Sequence, residues 1–425
     1  MTVLIAGGGI GGLCLALTCH QIGVPFKVFE QTREMKPLGV GINLQPNCVR
    51  ELFDLGLEDA LPTTGIKTQE YGMFSKHGLE IWLEPRGIAA GYKWPQYSVH
   101  RGEFQMMLYQ ALIERAGAGC VEMGWRAAGF ENTKDGAVLN LVDVDSGKTR
   151  QETGSLVIGA DGIHSALRAQ MAPHEGPPIW GGAILWRATS LAKPIRTGAT
   201  MMLIGHETQR LVAYPITEVD PQTGLAVLNW IAELKFDPTH GWKKEDWNRE
   251  ANKADFLPKF EDWVYDWLDI PSLINSAEKI YEYPMVDRDP LEAWTDGHVT
   301  LLGDAAHPTY PVGSNGATQA IMDGRKLGRA FLDYGIRAAA LQAYEAEVRP
   351  ITTKVGQTNR SGKGPDGVLQ MIEDRCGGMF ENLDDVASQE ELEAHAVSYK
   401  KIAGFAIETL NASEQIIPDG AKVRG

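Results

Sequence analysis

The sequence predicts an α/β chain: a doubly wound parallel-sheet unit, interrupted by a second unit of mixed and antiparallel strands, then a helical C-terminal region. Three observations carry this. Residues 2–6 (TVLIA) form a short apolar run that enters the glycine cluster GGGIGG, a small-residue helix and a second strand ending at Glu30. Beyond Pro173 come β-type runs, GGAILWRATSL, TMMLIG, QRLVAYPI and GLAVLNWIAEL, separated by turn-rich segments. Residues 299–302 then form a buried strand that ends at Gly303 and Asp304, followed by a proline- and glycine-rich turn and a helix.

In the first of these, Gly7, Gly9 and Gly12 satisfy G-x-G-x-x-G between a strand and a helix. The pattern supplies a tight turn, backbone access to a pyrophosphate and close helix–sheet packing, and Glu30 offers a carboxylate to a ribose. LGVGINLQPN, residues 38–47, is by itself a glycine-rich loop before a helix. Residues 69–94 turn to short aromatic-bearing strands. An amphipathic helix begins in VHRGEFQMMLYQALIER, with Arg101 near its start and able to reach a phosphate. Asp135-Gly136 marks a hairpin. SLVIGADGIHSALR is a strand ending in Asp161-Gly162, then a helix start, which ordinary capping by Ser165 would also explain. Trp242, Trp247, Phe256, Phe260, Trp263 and Trp267 dot a segment that reads as helical, an aromatic stripe expected to anchor a core. In the late helix, small or apolar residues recur at Ala317, Ala320, Ile321, Gly324, Leu327 and Gly328. Its N-terminus, reached through Gly313, Asn315 and Gly316, offers unpaired N–H groups to a flat, anionic ligand.

At 425 residues the chain is long for one core. The shifts in pattern place the first unit at residues 1–68, 98–175 and 280–340, the second at 69–97 and 176–279, and the helical region at 341–425. A net charge of −15 argues against nucleic acid or an anionic membrane as the main partner. Five scattered cysteines, without CxxC pairs, argue against a zinc site or a disulfide framework and suit a reducing cytoplasm. Cys14 and Cys19 point to different sides of one helix. The N-terminus reads as a strand and not a signal peptide, and no run is long and apolar enough to cross a bilayer.

Together, GGGIGG with Glu30, GADGIHSALR and LLGDAAHPTYPVGSNGATQAIMDG resemble, in order and spacing, the class A flavoprotein monooxygenases, the single-component aromatic hydroxylases. The resemblance runs from residue 1 to about 358 and is nearest to the phenazine-carboxylate hydroxylases, through LGVGINLQPN, PQYSVHRGEFQ, RLVAYPI and YPMVDRDPL. It implies a Rossmann-like FAD-binding domain interrupted by a substrate domain. It also implies FAD as cofactor, NAD(P)H and O2 as co-substrates, and hydroxylation of an electron-rich aromatic or N-heteroaromatic ring through a flavin hydroperoxide, with decarboxylation possible in carboxylated substrates.

By position, Gly7, Gly9 and Gly12 would line the pyrophosphate, Glu30 the ribose, and Arg101 a phosphate. Gly303 and Asp304 would meet the ribityl chain. Gly41, Gly313, Asn315 and Gly316 would lie at the ring, and Asp161 would serve FAD and nicotinamide. Substrate contacts are expected from Trp186, Trp230 and Pro311, with Tyr214 and Arg187 as the catalytic candidates, Tyr214 toward a phenolic oxygen and Arg187 toward a carboxylate. His307 is expected to border the flavin. A non-catalytic FAD-binding or sensing protein remains an alternative. A flavin halogenase is a weaker one, because its W-x-W-x-I-P motif is absent. A monomer or homodimer is expected.

Overall fold

The computed structural model describes all residues except 238, 240–248, 362–366, 395–403, 405 and 424–425. Its first layer is a six-stranded sheet in the order Thr295–Asp296, Val299–Leu301, Leu156–Gly159, Val3–Ala6, Phe26–Glu30 and Val121–Met123. Every pairing in it is parallel except that of Thr295–Asp296. Strands buried on both faces explain the unbroken apolar runs VLIA and LVIG. Helices Ile10–Ile22 and Gly316–Tyr334 pack together over this sheet, and Gly324 and Gly328 permit the close approach. A Cβ at Gly324 would lie 2.9 Å from the Leu15 backbone nitrogen, and one at Gly328 would lie 2.3 Å from a Thr18 methyl.

The second layer is a seven-stranded sheet ordered Tyr281–Asp287, Ile179–Ala192, Ala226–Lys235, Gln209–Pro215, Thr200–His206, Glu70–Phe74 and Glu80–Pro85. The expected boundary at residue 280 therefore shifts, because strand Tyr281–Asp287 belongs to this sheet. Pro284 is compatible with that place because the strand is an edge. A small sheet of Gly41–Leu44, Gln96–His100 and Gly65–Thr68 bridges the two layers. Asp135-Gly136 turns a hairpin between Trp125–Asn132 and Ala137–Asp143.

The aromatic stripe is a core anchor but not a helix. Phe256, Phe260 and Trp263 are buried against the back of the seven-stranded sheet from 3-10 turns, Lys253–Asp255 and Leu257–Phe260. Irregular aromatic spacing cannot hold one helical face. Trp242 and Trp247 lie outside the described residues. Cys14 and Cys19 are buried and free, and burial raises both thiols. Helix Gly367–Cys376 packs Val368, Leu369 and Ile372 beside Met201, Leu203 and Tyr214 on the front of the sheet, so the C-terminal region walls that face. Among the described residues no helix is long and apolar enough to cross a membrane.

One buried guanidinium ties the helices of the first unit. Arg325 donates to Glu51 (3.1 Å), Gln21 (2.6 Å), Thr18 (3.1 Å) and Asp54. Arg325→Met leaves Asp54 without this cation in the interior, which costs about 3 kcal/mol. Thermal unfolding should show a drop of several degrees, and an unchanged melting temperature would contradict the network's weight.

Candidate functional site

The two layers face each other across a cavity of about 360 Å³. On one side it is lined by Gly9–Gly12, Ala160, Gly162 and Leu302–Asp304, at the carboxyl ends of the parallel strands, where open α/β sheets bind ligands. Pro311, Val312 and Ser314–Ala317, leading into the late helix, close one edge. The front of the seven-stranded sheet forms the floor through Leu185, Arg187, Leu203, Arg210, Val212, Tyr214, Ile231 and Glu233.

The glycines divide by task. A Cβ on Gly12 would lie 2.1 Å from the Gly7 carbonyl oxygen, and one on Gly7 (φ 111°) would lie 2.2 Å from that of Ala160. Both positions serve the chain's own close crossing, and Gly7 does not line the cavity. Gly9, Gly162 and Gly316 face open space instead, so a side chain there would occupy ligand volume. Gly41 rests its backbone on the floor. Its N–H donates to Asn229 Oδ1 at 2.6 Å, and a Cβ would meet the Tyr214 ring at 2.6 Å.

Asp304 and Arg101 both present surface to the cavity. Burial raises the Asp304 carboxyl, while His307 and Arg101 pull it down. Burial lowers Arg101, which Asp304 opposes and Arg187 reinforces. Asn315 is 1% exposed, and among the described residues both polar atoms of its amide lack a partner. Orphaned buried amide atoms beside a helix N-terminus, with glycines that open onto space, fit the polar edge of a flat, electron-accepting ring.

His307 does not line the cavity. Its Nε2 meets Asp323 at 2.6 Å, and its ring packs against Trp294 at 5.3 Å. Asp323 also accepts the Gly303 N–H at 2.9 Å, so the pair clamps the Gly303–Ala305 turn to the late helix. Burial opposes the imidazolium, but the Asp323 charge and hydrogen bond prevail and raise His307 above 6.5.

Other expected contacts fall elsewhere. Trp186 and Trp230 are turned to the back of the sheet. Trp186 stacks on Phe256 at 4.7 Å, and the Trp230 indole donates to Ser190 at 3.0 Å. Successive strand residues point to opposite faces, so Trp186 and Arg187 cannot both reach the cavity. Glu30 stands beside the glycine turn, outside the cavity lining, and accepts the N–H groups of Gly8 (2.6 Å) and Thr32 (2.8 Å). Asp161 accepts the Ala166 N–H at 2.9 Å while Ser165 caps the same helix; Ala160 and Gly162 line the cavity on either side of it. Gly313, at φ 72°, shapes the turn from behind Ser314. Arg168 is buried and donates to the carbonyls of Ala305 and Ala306, bracing the Asp304 turn.

Arg187, Tyr214 and Pro311 do line the cavity. The Arg187 Nε is buried without a partner among the described residues, and its guanidinium lies 5.7 Å from the Tyr283 ring centre. Burial raises Tyr214 far above the usual phenol range, so its hydroxyl stays protonated. Arg210, Glu233, Asn229 and Asp323 were missed in the sequence. For the first three, a charged or amide residue within an otherwise apolar strand is a usable signal.

Gly12→Ala should destabilise the protein by about 1–3 kcal/mol, as overpacking against backbone does. Gly9→Ala should keep the melting temperature of the flavin-free protein and weaken flavin retention; equal thermal losses in the two flavin-free variants would remove the distinction. A raised His307 contributes stability that is complete below about pH 6.5 and fades as pH climbs through its folded value. The melting-temperature penalty of His307→Gln should therefore be larger at pH 6 than at pH 9. Equal penalties would show that the pair carries no such charge.

Comparison with known proteins supports the geometry. Residues 1–359 match the family described as FAD binding domain. Phenazine 1,6-dicarboxylic acid hydroxylase of Lysobacter antibioticus is 42% identical over 361 residues, covering 84% of this chain and 89% of its own. The 3-amino-4-hydroxybenzoate 2-monooxygenase of Streptomyces platensis is 30% identical, covering 91% and 94%. A salicylate hydroxylase substrate complex shares the fold with a TM-score of 0.72 at 21% identity, covering 97% of each chain. The chain belongs to this FAD-binding family, among the flavin-dependent aromatic monooxygenases.

Proposed function

We propose that the enzyme hydroxylates a planar aromatic or N-heteroaromatic carboxylate, using NAD(P)H and O2, as a cytoplasmic monomer or homodimer. The observation that carries this is Arg187, which lines the cavity floor with Leu185, Ile231, Val212 and Leu203, and whose guanidinium makes a 3.4 Å contact to the Gly41 carbonyl while its Nε has no partner among the described residues. An apolar slot with one under-satisfied guanidinium suits a flat ring bearing a carboxylate. The 42%-identical relative is named for a phenazine dicarboxylic acid, which has that chemistry.

When bound, FAD supplies the redox chemistry that activates oxygen for transfer. In this reading Gly9 and Glu30 hold its nucleotide end while Gly12 keeps the turn tight, with Arg101 at a phosphate and Asp304 at the ribityl hydroxyls. Asn315 and Gly316, at the helix N-terminus, favour negative charge on the ring, and Gly41 lies against its face. Tyr214, protonated by virtue of its burial, donates a hydrogen bond to a ring substituent. The apolar walls exclude water, and Pro311 borders the ring.

A panel of phenazine, quinoline, pyridine and hydroxybenzoate acids should contain a member that accelerates NAD(P)H oxidation and yields a hydroxylated product by mass spectrometry. Arg187→Met should weaken binding of that acid by about 10- to 100-fold, the scale of a charged hydrogen bond, and spare its carboxamide. Equal losses for acid and amide would defeat the assignment.

A further inference from the structure

We propose that Glu233 is a specificity-determining acceptor, selecting aromatic carboxylates that also carry an N–H or O–H donor. The inference rests on the Arg187 reading and extends it to another edge of the ring. The register fixes the arrangement. Leu185, Glu233 and Arg210 form one row across three strands, and Arg187, Ile231 and Val212 form the next. Glu233 and Arg187 are thus diagonal neighbours on one face, with Cα atoms about 7–8 Å apart.

Arg210 Nη2 donates to Glu233 Oε1 at 2.7 Å, with the two side chains 12% and 8% exposed. A carboxylate accepts about four hydrogen bonds, so this contact leaves Glu233 acceptor capacity on a wall of the cavity. Arg210 is a positioning residue, holding the plane of the Glu233 carboxylate through this contact. A desolvated ion pair adds little stability over apolar residues of similar volume. Its place on the ligand-facing side, among Leu185, Val212 and Ile231, gives it a different use. A polar group that must be satisfied by the substrate rejects an isostere that lacks the donor.

The test uses FAD-loaded enzyme and two isosteric pairs: 3-aminobenzoate against 3-methylbenzoate, and 4-aminobenzoate against 4-methylbenzoate. Dissociation constants come from calorimetry and from the flavin difference spectrum. The wild type should bind the amino member of at least one pair roughly ten-fold more tightly. That ratio should fall in Glu233→Gln and approach one in the double variant Arg210→Met, Glu233→Met, which removes both members of this ion pair. If the double variant does not fold, Glu233→Gln alone decides. A wild-type ratio near one for both pairs, a ratio unchanged in the variants, or equal weakening of amino and methyl members would each overturn the proposal. Failure of the Arg187 reading is separate, since it appears as benzoate affinity indifferent to Arg187→Met while the amino-to-methyl ratio stands.

Discussion

The site depends on one buried carboxylate. Asp323 lies on the late helix with no exposed surface, and it holds both the Gly303 N–H and the His307 ring. That pair of contacts joins the end of a parallel strand to the helix that follows the turn, so Asp304 and the helix N-terminus face the same cavity. Arg168 braces the other side of the turn through two carbonyls. Loops of this kind carry unsatisfied backbone groups, and a buried charge network is what can hold them open toward a ligand.

The opposing wall follows a simpler rule. Every floor residue comes from one phase of the strand alternation, and the other phase packs into an aromatic core with Phe256, Phe260 and Trp263. The back face is wholly committed to burial, so chemistry can vary on the front without disturbing the fold. Tyr214 and Arg187 sit two strands apart on that front, at different rows of the register. The floor thus offers polar groups at separated points around an apolar centre, which orients a flat ligand as well as binding it.

The bridging strand Gly41–Leu44 couples the two walls. Its first residue donates its N–H to Asn229, and its carbonyl accepts from Arg187 at 3.4 Å, so this segment and the seven-stranded sheet share hydrogen bonds. In the bare sequence LGVGINLQPN reads only as a glycine-rich loop; the need for glycine at 41 arises from a side chain almost two hundred positions away.

By itself the sequence determined the nucleotide-binding unit and the order of the strands and turns around it, because those signals are local. Glycine spacing, a strand-ending acid and apolar runs act within a few residues of one another. It also contained Arg187, Tyr214, Asp304, Asn315 and Gly316, all of which meet at one cavity. Only the tertiary structure decided which phase of each floor strand faces inward, which removed Trp186 and Trp230 and added Arg210 and Glu233. It likewise placed strand Tyr281–Asp287 in the second sheet and took His307 out of the cavity into a clamp. The physical reason is common to all of these. A strand's partners and a side chain's facing are set by long-range pairing, and shifting the phase by one residue exchanges core for site.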